Sequence, residues 1–442
     1  MKRFFRSLLA FAATLALLLA QITPAYAEIQ GTDLVGSTTV SDRNLNITEV
    51  PTIEGTYGIL CDADGNVLWS RDANTQTAMA SITKIMTAVV TLENADLDAT
   101  FTVSANAASV GESSAGLRTG DVVKVRNLLQ GLLIHSGNDA AITLAEGVAG
   151  NVDAFVEKMN EKAQELGLTN THYANPHGLD ADGHYTTAAD ICVLERYAMK
   201  NDTFRKIVKT KKVTLSYGSN ANYTFKSTNS LLNTWKPCIG VKTGYTNNAG
   251  YCLASAAKKN GIELYAVVLG CSDEGQRFTD SYRLLTWGFE HYRSQELAKA
   301  GEDLIDVPLS GYLNRTVAAG VENDASALIL DYDGDISVDV ALVDLPDGVK
   351  KGDRVGTITW RQGENVLCSS ALVAQENVGK PFAVVRLWTA VNRFVGCFVG
   401  DDCIAEIQLH VSTITVERNN SSGETIDEKQ EASIRADAAQ NG

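Results

Sequence analysis

The chain has 442 residues, of which 38 are basic and 53 are acidic, and its formal net charge is −15. This length exceeds what one ordinary hydrophobic core supports, so we expect two folded domains with tails. A hydrophobic fraction of 45% and a charged fraction of 21% exclude a wholly disordered chain. The acidic balance argues against a basic nucleic-acid-binding surface, and we predict no nucleic-acid partner.

The first 27 residues have the pattern of a secretory signal peptide. A basic start is followed by an uncharged apolar run over residues 8–19 and by Ala25-Tyr26-Ala27, which fits a small-residue cleavage site. The alternative is an anchor that stays uncleaved, although the run is short for a membrane span. We therefore predict an exported, extracytoplasmic protein.

Eight cysteines occur, at positions 61, 192, 238, 252, 271, 368, 397 and 403. Export would permit disulfides, since these persist in oxidising compartments. However, no Cys-x-x-Cys pair occurs, and most of the cysteines lie inside apolar runs. We therefore expect buried free thiols, while disulfide connectivity stays open at this point.

The first half of the chain changes from strands to helices. Residues 28–50 are polar without clear periodicity and predict a flexible lead-in. Two β-type runs at 57–61 and 67–70 flank Asp64-Gly65 and predict a hairpin. Ser81 to Ala95 predicts a buried helix, because its apolar residues cover more than one face. Further predicted helices lie at 127–135, 138–148 and 152–166, and a capping-box pattern lies at Thr187-Ala-Ala-Asp190.

Strand patterns return in the second half. They lie at 213–217, 222–227, 238–244, 250–257 and 262–270, before a closing helix over 277–292. This order predicts an α/β (α+β) domain over 51–295, with a mixed antiparallel sheet and a helical subdomain. We expect the first hairpin to form the edge of the sheet. Short strands separated by Asp-Gly and Lys-Gly turns predict a small all-β sandwich domain over 300–380.

The C-terminal part contains one amphipathic pattern and a polar tail. Residues 382–399 predict an amphipathic helix, and within 384–399 Trp388, two Phe and two Arg lie at helical spacing, which favours a helix lying on a membrane surface. A helix packed against the β-rich domain is the alternative, and Arg386, Asn392 and Arg393 argue against a span. Residues 404–416 resemble one more strand, and 417–442 predict an acidic, disordered tail.

Ser81-Ile82-Thr83-Lys84 is the first of three short motifs that carry chemistry. Residues three apart at a helix start lie on one face. A serine hydroxyl is a poor nucleophile until a neighbouring base takes its proton, and a lysine is such a base only when it is neutral. Burial or a second nearby cation lowers a lysine pKa and favours that neutral form.

The other two motifs follow in order along the chain. Ser136-Gly137-Asn138 lies at a break between predicted helices, and Lys242-Thr243-Gly244 lies at the end of a predicted strand. Each motif alone fits an ordinary structural role: a helix cap, a helix break and a solvated charge. All three in this order and context indicate a serine acyl-transfer site.

Five segments together resemble one family, the serine D-alanyl-D-alanine carboxypeptidases, which are low-molecular-mass penicillin-binding proteins. The match covers about residues 50–295 and extends more loosely to about 380. The segments are Met79–Thr87, Ser136–Ala140, Asn175–Asp180 with His184–Thr187, Gly240–Thr246, and Arg277–Phe289. The resemblance implies a penicillin-recognising, serine transpeptidase-like or β-lactamase-like catalytic fold without a cofactor or metal. It also implies peptidoglycan stem peptides as substrates and β-lactams as inhibitors.

The resemblance also implies a role for each matching residue. Ser81 is the acylated nucleophile and Lys84 the general base. Ser136 and Asn138 assist proton transfer and bind substrate, while Lys242 and Thr243 recognise the terminal carboxylate. Gly244 lets the substrate backbone approach closely, and the N–H groups of Ser81 and Tyr245 form the oxyanion hole. Arg277 is either a further carboxylate contact or a surface helix residue.

The chain departs from its relatives at two places. Some relatives have a basic residue after the Thr228-Asn229 pair, where this chain has Ser230. The membrane-binding segment of relatives is usually the last element, whereas here residues 404–442 follow it.

Two rival functions remain, a class A-like β-lactamase and a non-catalytic penicillin-binding sensor or scaffold. The lactamase needs a glutamate after the second motif, and Glu165 falls in the predicted helix 152–166 instead. Zinc peptidases are excluded because the sequence contains no H-E-x-x-H pattern.

Overall fold

The structure is a computed structural model that describes residues 31–46, 49–217, 221–399, 405–419 and 427–441. The predicted signal peptide lies outside these residues. The chain forms two units. The first combines the described residues up to Phe289 with residues 427–441, and the second runs from Glu290 to residue 419.

The described strands of the first unit form a seven-stranded antiparallel sheet and two separate two-stranded sheets. The strands are β1 Leu34–Val35, β2 Thr38–Thr39, β3 Tyr57–Asp62, β4 Val67–Arg71, β5 Thr100–Thr102, β6 Val122–Lys124, β7 Lys212–Tyr217, β8 Ala221–Lys226, β9 Cys238–Thr246, β10 Gly250–Lys259 and β11 Ile262–Cys271. The sheet order is β2-β1-β4-β3-β11-β10-β9, while β5 pairs with β6 and β7 pairs with β8. The third motif therefore lies on β9, a terminal strand.

Ten helices lie among the described residues of this unit. They are α1 Lys84–Asn94, α2 Ala105–Ser109, α3 Val125–Ile134, α4 Asn138–Ala149, α5 Val152–Glu165, α6 Ala188–Ala198, α7 Asp202–Val208, α8 Ser230–Thr234, α9 Glu274–His291 and, at the end of the chain, α11 Glu428–Asn441. Helix α1 is buried over most of its length, because apolar residues surround its axis. The predicted α/β fold class with a helical part is confirmed.

The lead-in is ordered where the structure describes it, which corrects the prediction of a flexible segment. Strand β1 pairs with β4, so β1 and β2, and not the first hairpin, end the sheet. Asp33 anchors this segment through Arg71, with Nε–Oδ1 and Nη2–Oδ2 distances of 2.9 and 2.6 Å. A buried ion pair next to a two-residue strand produces no hydrophobic periodicity, so the sequence pattern missed it.

The C-terminal tail also differs from the prediction. Residues 428–441 form helix α11 and pack on the first unit, instead of being disordered. Asp427 begins the helix by accepting the N–H groups of Lys429 and Gln430 at 3.0 and 3.3 Å. The Asp427-x-x-Gln430 spacing was the available sequence signal, since it resembles a capping box. Because the segment contains few apolar residues, its composition predicted disorder instead of a helix.

Where the structure describes it, the second unit consists mainly of strands, with one long α-helix. Its strands are β12 Tyr292–Ala298, β13 Ile305–Pro308, β14 Thr316–Val321, β15 Ala325–Leu330, β16 Ile336–Leu342, β17 Arg354–Gln362, β18 Asn365–Ala374 and β19 Gln408–Leu409. A six-stranded antiparallel sheet and the β12–β15 pair share one core that includes Trp360, Ile358 and Ile329. Of the predicted strand over 404–416, the described residues 405–416 form β19 and a bridge from Ile414 to Ile336.

Helix α10, Ala383–Val399, is the long helix of the second unit. Thr389 is buried and donates to the carbonyl of Gly311 at 3.4 Å, so one side of the helix faces this unit. The other side exposes large apolar residues. Among the described residues, no helix combines the length and apolar character needed to cross a membrane.

The cysteines correct the expectation that all would be free thiols. Cys61 on β3 and Cys192 on α6 form a disulfide that links residues 131 apart in sequence. Cys238, Cys252, Cys271 and Cys368 are free. The side chains of the two remaining cysteines lie outside what the structure describes. Sequence patterns identify no such pair, because only the packing of α6 on the sheet brings it together.

Candidate active site

The first motif forms a single 3₁₀ turn, Ala80–Thr83, that leads into α1. Ala80 adopts a positive φ of 47°, and its carbonyl oxygen packs against Gly178. A Cβ at Gly178 would lie 2.0 Å from that oxygen, so only glycine fits there. The turn therefore holds Ser81 at the start of a buried helix, with its side chain directed to the same face as Lys84.

Lys84 has three oxygen neighbours that define its role. Its Nζ lies 2.7 Å from Ser81 Oγ, 2.7 Å from Asn138 Oδ1 and 2.6 Å from the carbonyl oxygen of His177. A neutral amine has two N–H groups and one lone pair. The two carbonyl oxygens only accept, so they take both N–H groups. The lone pair is then left for the Ser81 hydroxyl, which is the geometry of a general base.

The protonation of Lys84 follows from its surroundings. The side chain is fully buried, and this burial lowers its pKa well below the ordinary value of 10.5. The charge of Lys242 acts in the same direction as a second cause. Burial, followed by the charge of Arg277, also lowers the pKa of Lys242, to about 7. These shifts favour the neutral amine that proton abstraction requires.

The second motif lies in the break between α3 and α4. Ser136 has a positive φ of 67°, and its Oγ accepts a hydrogen bond from Lys242 Nζ at 3.0 Å. Asn138 donates from Nδ2 to the carbonyl of Gly111 at 2.9 Å, which turns its Oδ1 towards Lys84. The tight break thus presents the Ser136 hydroxyl to Lys242 and the Asn138 amide oxygen to Lys84.

The third motif brings β9 against the nucleophile turn. A Cβ at Gly244 would lie 3.1 Å from both the Ala80 Cβ and the Ser81 nitrogen, so glycine allows this close approach. Thr243 and Thr228 hydroxyl oxygens lie 2.6 Å apart. Tyr245 is 47% exposed, and its ring lies 4.3 Å from that of Tyr251. Terminal strands such as β9 have a free edge on which an extended peptide binds.

Arg277 lies beneath the third motif and is almost fully buried, not on the surface. Its Nη1 donates to the Gly244 carbonyl at 3.0 Å, and its Nη2 pairs with Glu274 at 2.6 Å. Its Nε is buried without a hydrogen-bond partner among the described residues. The guanidinium therefore supports the strand that carries Lys242 and Thr243.

Several supporting residues had no assigned role in the sequence analysis. Asp139 is buried and accepts from the N–H groups of Ala115 and Leu117 and from the Ser114 hydroxyl at 2.8, 3.0 and 2.6 Å. It thereby fixes the loop whose Gly111 orients Asn138. The adjacent Ser136-Gly-Asn-Asp pattern was a signal for Asp139, whereas Thr228 had no local signal.

The segment Asn175–Asp180, which the sequence analysis gives only as a family resemblance, connects the first and third motifs. The His177 carbonyl accepts from Lys84, and the Pro176 carbonyl accepts from Thr87 Oγ1 at 2.6 Å. Asp180 accepts from Thr246 Oγ1 at 2.8 Å, at the end of β9. This segment therefore holds the base and the third motif in register.

Glu165, the residue considered for a lactamase, lies elsewhere. It is the last residue of α5, its side chain is 62% exposed, and it pairs with Lys162 at 2.6 Å. Its ion-pair partner, Lys162, belongs to none of the three motifs.

The chain is similar to known proteins of one family. The family model described as D-alanyl-D-alanine carboxypeptidase matches residues 44–273. The chain is 32% identical over 336 residues to D-alanyl-D-alanine carboxypeptidase DacF of Bacillus subtilis (strain 168), covering 74% of this chain and 86% of the relative. It is 37% identical over 257 residues to the D-alanyl-D-alanine carboxypeptidase of Streptomyces sp. (strain K15), covering 54% of this chain and 88% of the relative.

Solved structures are similar as well. The D-alanyl-D-alanine carboxypeptidase DacD from Francisella tularensis superimposes with a TM-score of 0.58 at 26% identity, covering 76% of this chain and 97% of that one. The Streptomyces K15 DD-transpeptidase superimposes with a TM-score of 0.52 at 37% identity, covering 54% and 98%. The predicted transpeptidase-like catalytic fold is thus confirmed, and the chain belongs to the D-alanyl-D-alanine carboxypeptidase family of serine peptidases.

Proposed function

We propose that this protein removes the terminal D-alanine from peptidoglycan stem peptides through an acyl-enzyme on Ser81. The observation that carries the proposal is the contact of Ser81 Oγ with Lys84 Nζ at 2.7 Å, where the other two lysine partners are carbonyl oxygens. Such a buried pair activates a hydroxyl without a histidine or a metal.

Acylation and deacylation follow from this pair. Ser81 Oγ attacks the carbonyl between the last two D-alanines while its proton moves to Lys84 Nζ. The Ser81–carbonyl bond forms, the peptide C–N bond breaks, and the leaving amine takes a proton as free D-alanine departs. Ser136 and Asn138 support the transfer and bind substrate, and the N–H groups of Ser81 and Tyr245 hold the oxyanion. Water then hydrolyses the ester and restores Ser81.

In this proposal, the carboxylate of the substrate's terminal D-alanine binds to the third motif. Lys242 supplies a cation and Thr243 a hydroxyl, which suits a carboxylate. Arg277 contributes through the Gly244 carbonyl and through its positive charge, since its Nη groups are already engaged. β-Lactams also carry a carboxylate beside an acyl centre, so we propose that they acylate Ser81 and leave slowly.

Intact-mass spectrometry after incubation with benzylpenicillin tests the nucleophile. We expect a stable penicilloyl adduct on the wild type and on Ser109→Ala, an exposed serine control, but none on Ser81→Ala. We likewise expect the wild type and Ser109→Ala to release D-alanine from a pentapeptide stem, and Ser81→Ala to release none. Rapid penicillin turnover without an adduct would instead indicate a lactamase, and no reaction with either compound would indicate a sensor or scaffold.

We propose further that the second unit associates with a membrane surface through α10. Its exposed apolar residues include Leu387 at 67%, Trp388 at 63% and Phe394 at 68%, and Phe382, directly before the helix, is 82% exposed. Neighbouring exposed large apolar side chains often mark an interaction surface, and on a helix they suit the boundary between lipid headgroups and acyl chains.

An extracytoplasmic location accords with this surface. The N-terminal pattern of residues 1–27 suits export, and the Cys61–Cys192 disulfide suits an oxidising compartment.

Sedimentation with vesicles of phosphatidylglycerol and phosphatidylethanolamine tests the membrane proposal. We expect Trp388→Glu with Phe394→Glu to remain in the supernatant, because two charges on the apolar face oppose insertion. Val366→Glu, at a residue that is 54% exposed on β18, is the control and should sediment like the wild type. Equal sedimentation of all three proteins would contradict membrane binding through α10.

A further inference from the structure

After the second unit, the chain returns to the catalytic unit as helix α11. Few apolar side chains hold this helix. Ile434 and Ala438 are its buried apolar residues, whereas most of its other side chains are partly or fully exposed. An isolated helix of 14 residues is marginally stable in water. The helix therefore depends on its polar contacts with the catalytic unit.

One set of these contacts joins α11 to α9. Glu431 forms a two-point ion pair with Arg283, with oxygen–nitrogen distances of 2.6 and 3.0 Å. Arg435 donates from Nη2 to Gln276 Oε1 at 2.6 Å, and its Nη1 lies 3.6 Å from Asp273. The contacts thus cover the start and the middle of α9.

A second set joins α11 to α8. Asn233 donates from Nδ2 to Asp437 Oδ2 at 3.3 Å. Gln430 donates from Nε2 to the carbonyl of Thr234 at 3.1 Å. Helix α11 therefore contacts both α8 and α9 and links these two helices.

Both of these helices contain or adjoin residues that contact the proposed binding site of the substrate carboxylate. We call this site, formed by Lys242, Thr243 and Gly244, the carboxylate pocket. Helix α8 begins two residues after Thr228, whose hydroxyl contacts that of Thr243. Helix α9 carries Arg277, which follows Gln276 in sequence and donates to the Gly244 carbonyl. Tyr251, beside the ring of Tyr245, also lines a groove whose other wall includes Arg435 of α11.

We propose that α11 is a brace for the carboxylate pocket, and that Glu431, Arg435 and Asp437 are positioning residues for the reaction. By fixing α8 and α9 to one another, the brace holds Thr228 and Arg277 in the geometry that supports Thr243 and Gly244. It touches neither Ser81 nor Lys84, so it acts on substrate binding and not on the base. This inference rests on the proposed function.

A charge exchange in the full chain tests the brace. Glu431→Lys with Arg435→Glu leaves the net charge unchanged and opposes both contacts with α9. Glu428→Lys with Lys429→Glu makes the same exchange at exposed residues of the same helix and is the control. For a D-Ala-D-Ala peptide, we expect KM to rise about 5- to 20-fold in the first variant, because small displacements of binding groups weaken a site strongly.

The pattern of the change separates positioning from general damage. We expect kcat and the pH dependence of acylation to stay close to those of the wild type, since Lys84 keeps its partners. A chain that ends at Ile426 lacks the helix altogether and should reproduce the rise in KM. An unchanged KM in that shortened chain would overturn the proposal.

Thermodynamic linkage between the pocket and α11 provides a second measurement. A helix that is only structural would not respond to acylation of Ser81. If α11 tightens the pocket, an occupied pocket must tighten α11 by the same factor. We therefore expect slower amide hydrogen exchange across residues 428–441 after benzylpenicillin acylates Ser81, with the adduct verified by mass. Verified acylation with unchanged exchange would refute the brace, whereas absence of the adduct would refute the proposed function instead.

Discussion

The Nε2 atom of His184 lies 2.8 Å from the Thr83 hydroxyl oxygen, and this contact connects a buried histidine to the nucleophile turn. His184 Nδ1 accepts the N–H of Ala174 at 3.0 Å, so the ring hydrogen must reside on Nε2. Nε2 then donates to Thr83, and Thr83 donates to the Ala80 carbonyl at 2.8 Å. Ala80 is the positive-φ residue directly before Ser81.

We therefore expect His184→Ala to lower kcat/KM by about 10- to 100-fold through misplacement of Ser81. His172→Ala, at an exposed histidine, is the control and should retain activity. A double-mutant cycle with Thr83→Val measures the coupling, and the two losses should not add. Additive losses would mean that the chain of hydrogen bonds does not position the turn.

Replacement of Lys84 tests its role as a base. We expect both Lys84→Ala and Lys84→Arg to slow acylation by about 10²- to 10⁴-fold. The guanidinium keeps a positive charge but remains protonated, so it cannot accept the serine proton. Acylation by benzylpenicillin, followed by intact mass over time, gives the rate. An arginine variant that acylates nearly as fast as the wild type would show that charge alone suffices.

The two buried lysines predict a pH effect with a definite sign. The charge of Lys242 lowers the pKa of Lys84, so Lys242→Met should raise that pKa. A smaller fraction of Lys84 is then neutral at a given pH, and the acidic limb of kcat/KM should move to higher pH. Lys226→Met, at an exposed lysine, should leave the limb in place. A limb that stays fixed, or moves to lower pH, in Lys242→Met would contradict the coupling.

Glu195 on α6 predicts a stability effect away from the site. It is fully buried, neither carboxyl oxygen has a hydrogen-bond partner among the described residues, and burial raises its pKa well above 4.5. Its contribution to stability is most favourable below the unfolded pKa of about 4.3 and is lost as pH rises through the folded value. We expect Glu195→Met to stabilise the protein by about 1–3 kcal/mol, more at pH 8 than at pH 5.

Urea unfolding at the two pH values measures this effect. Glu157→Met, at an exposed residue of α5, is the control and should change stability little at either pH. If Glu195→Met is destabilising at pH 8, the carboxyl must have a stabilising role that its buried contacts do not reveal.

Local spacing sufficed to predict much of the first unit. The Ser81–Lys84 relationship lies within one turn of helix, so neighbouring residues define it without tertiary contacts. Likewise, strong alternation and Gly-containing turns predicted strands β9 to β11 and the β-rich second unit. The predictions failed where order depends on contacts between distant residues. Asp33 needs Arg71, Cys61 needs Cys192, and α11 needs Arg283 and Gln276.

The sequence by itself therefore determined the three motifs, their order and the elements that carry them, because each motif is a short-range pattern. Only the tertiary structure decided how the motifs meet. Lys84 reaches Asn138 and the His177 carbonyl across 54 and 93 residues, and Lys242 reaches Ser136 across 106. The burial that lowers both lysine pKa values is likewise a property of the packed unit, since it exists only when distant segments exclude water together.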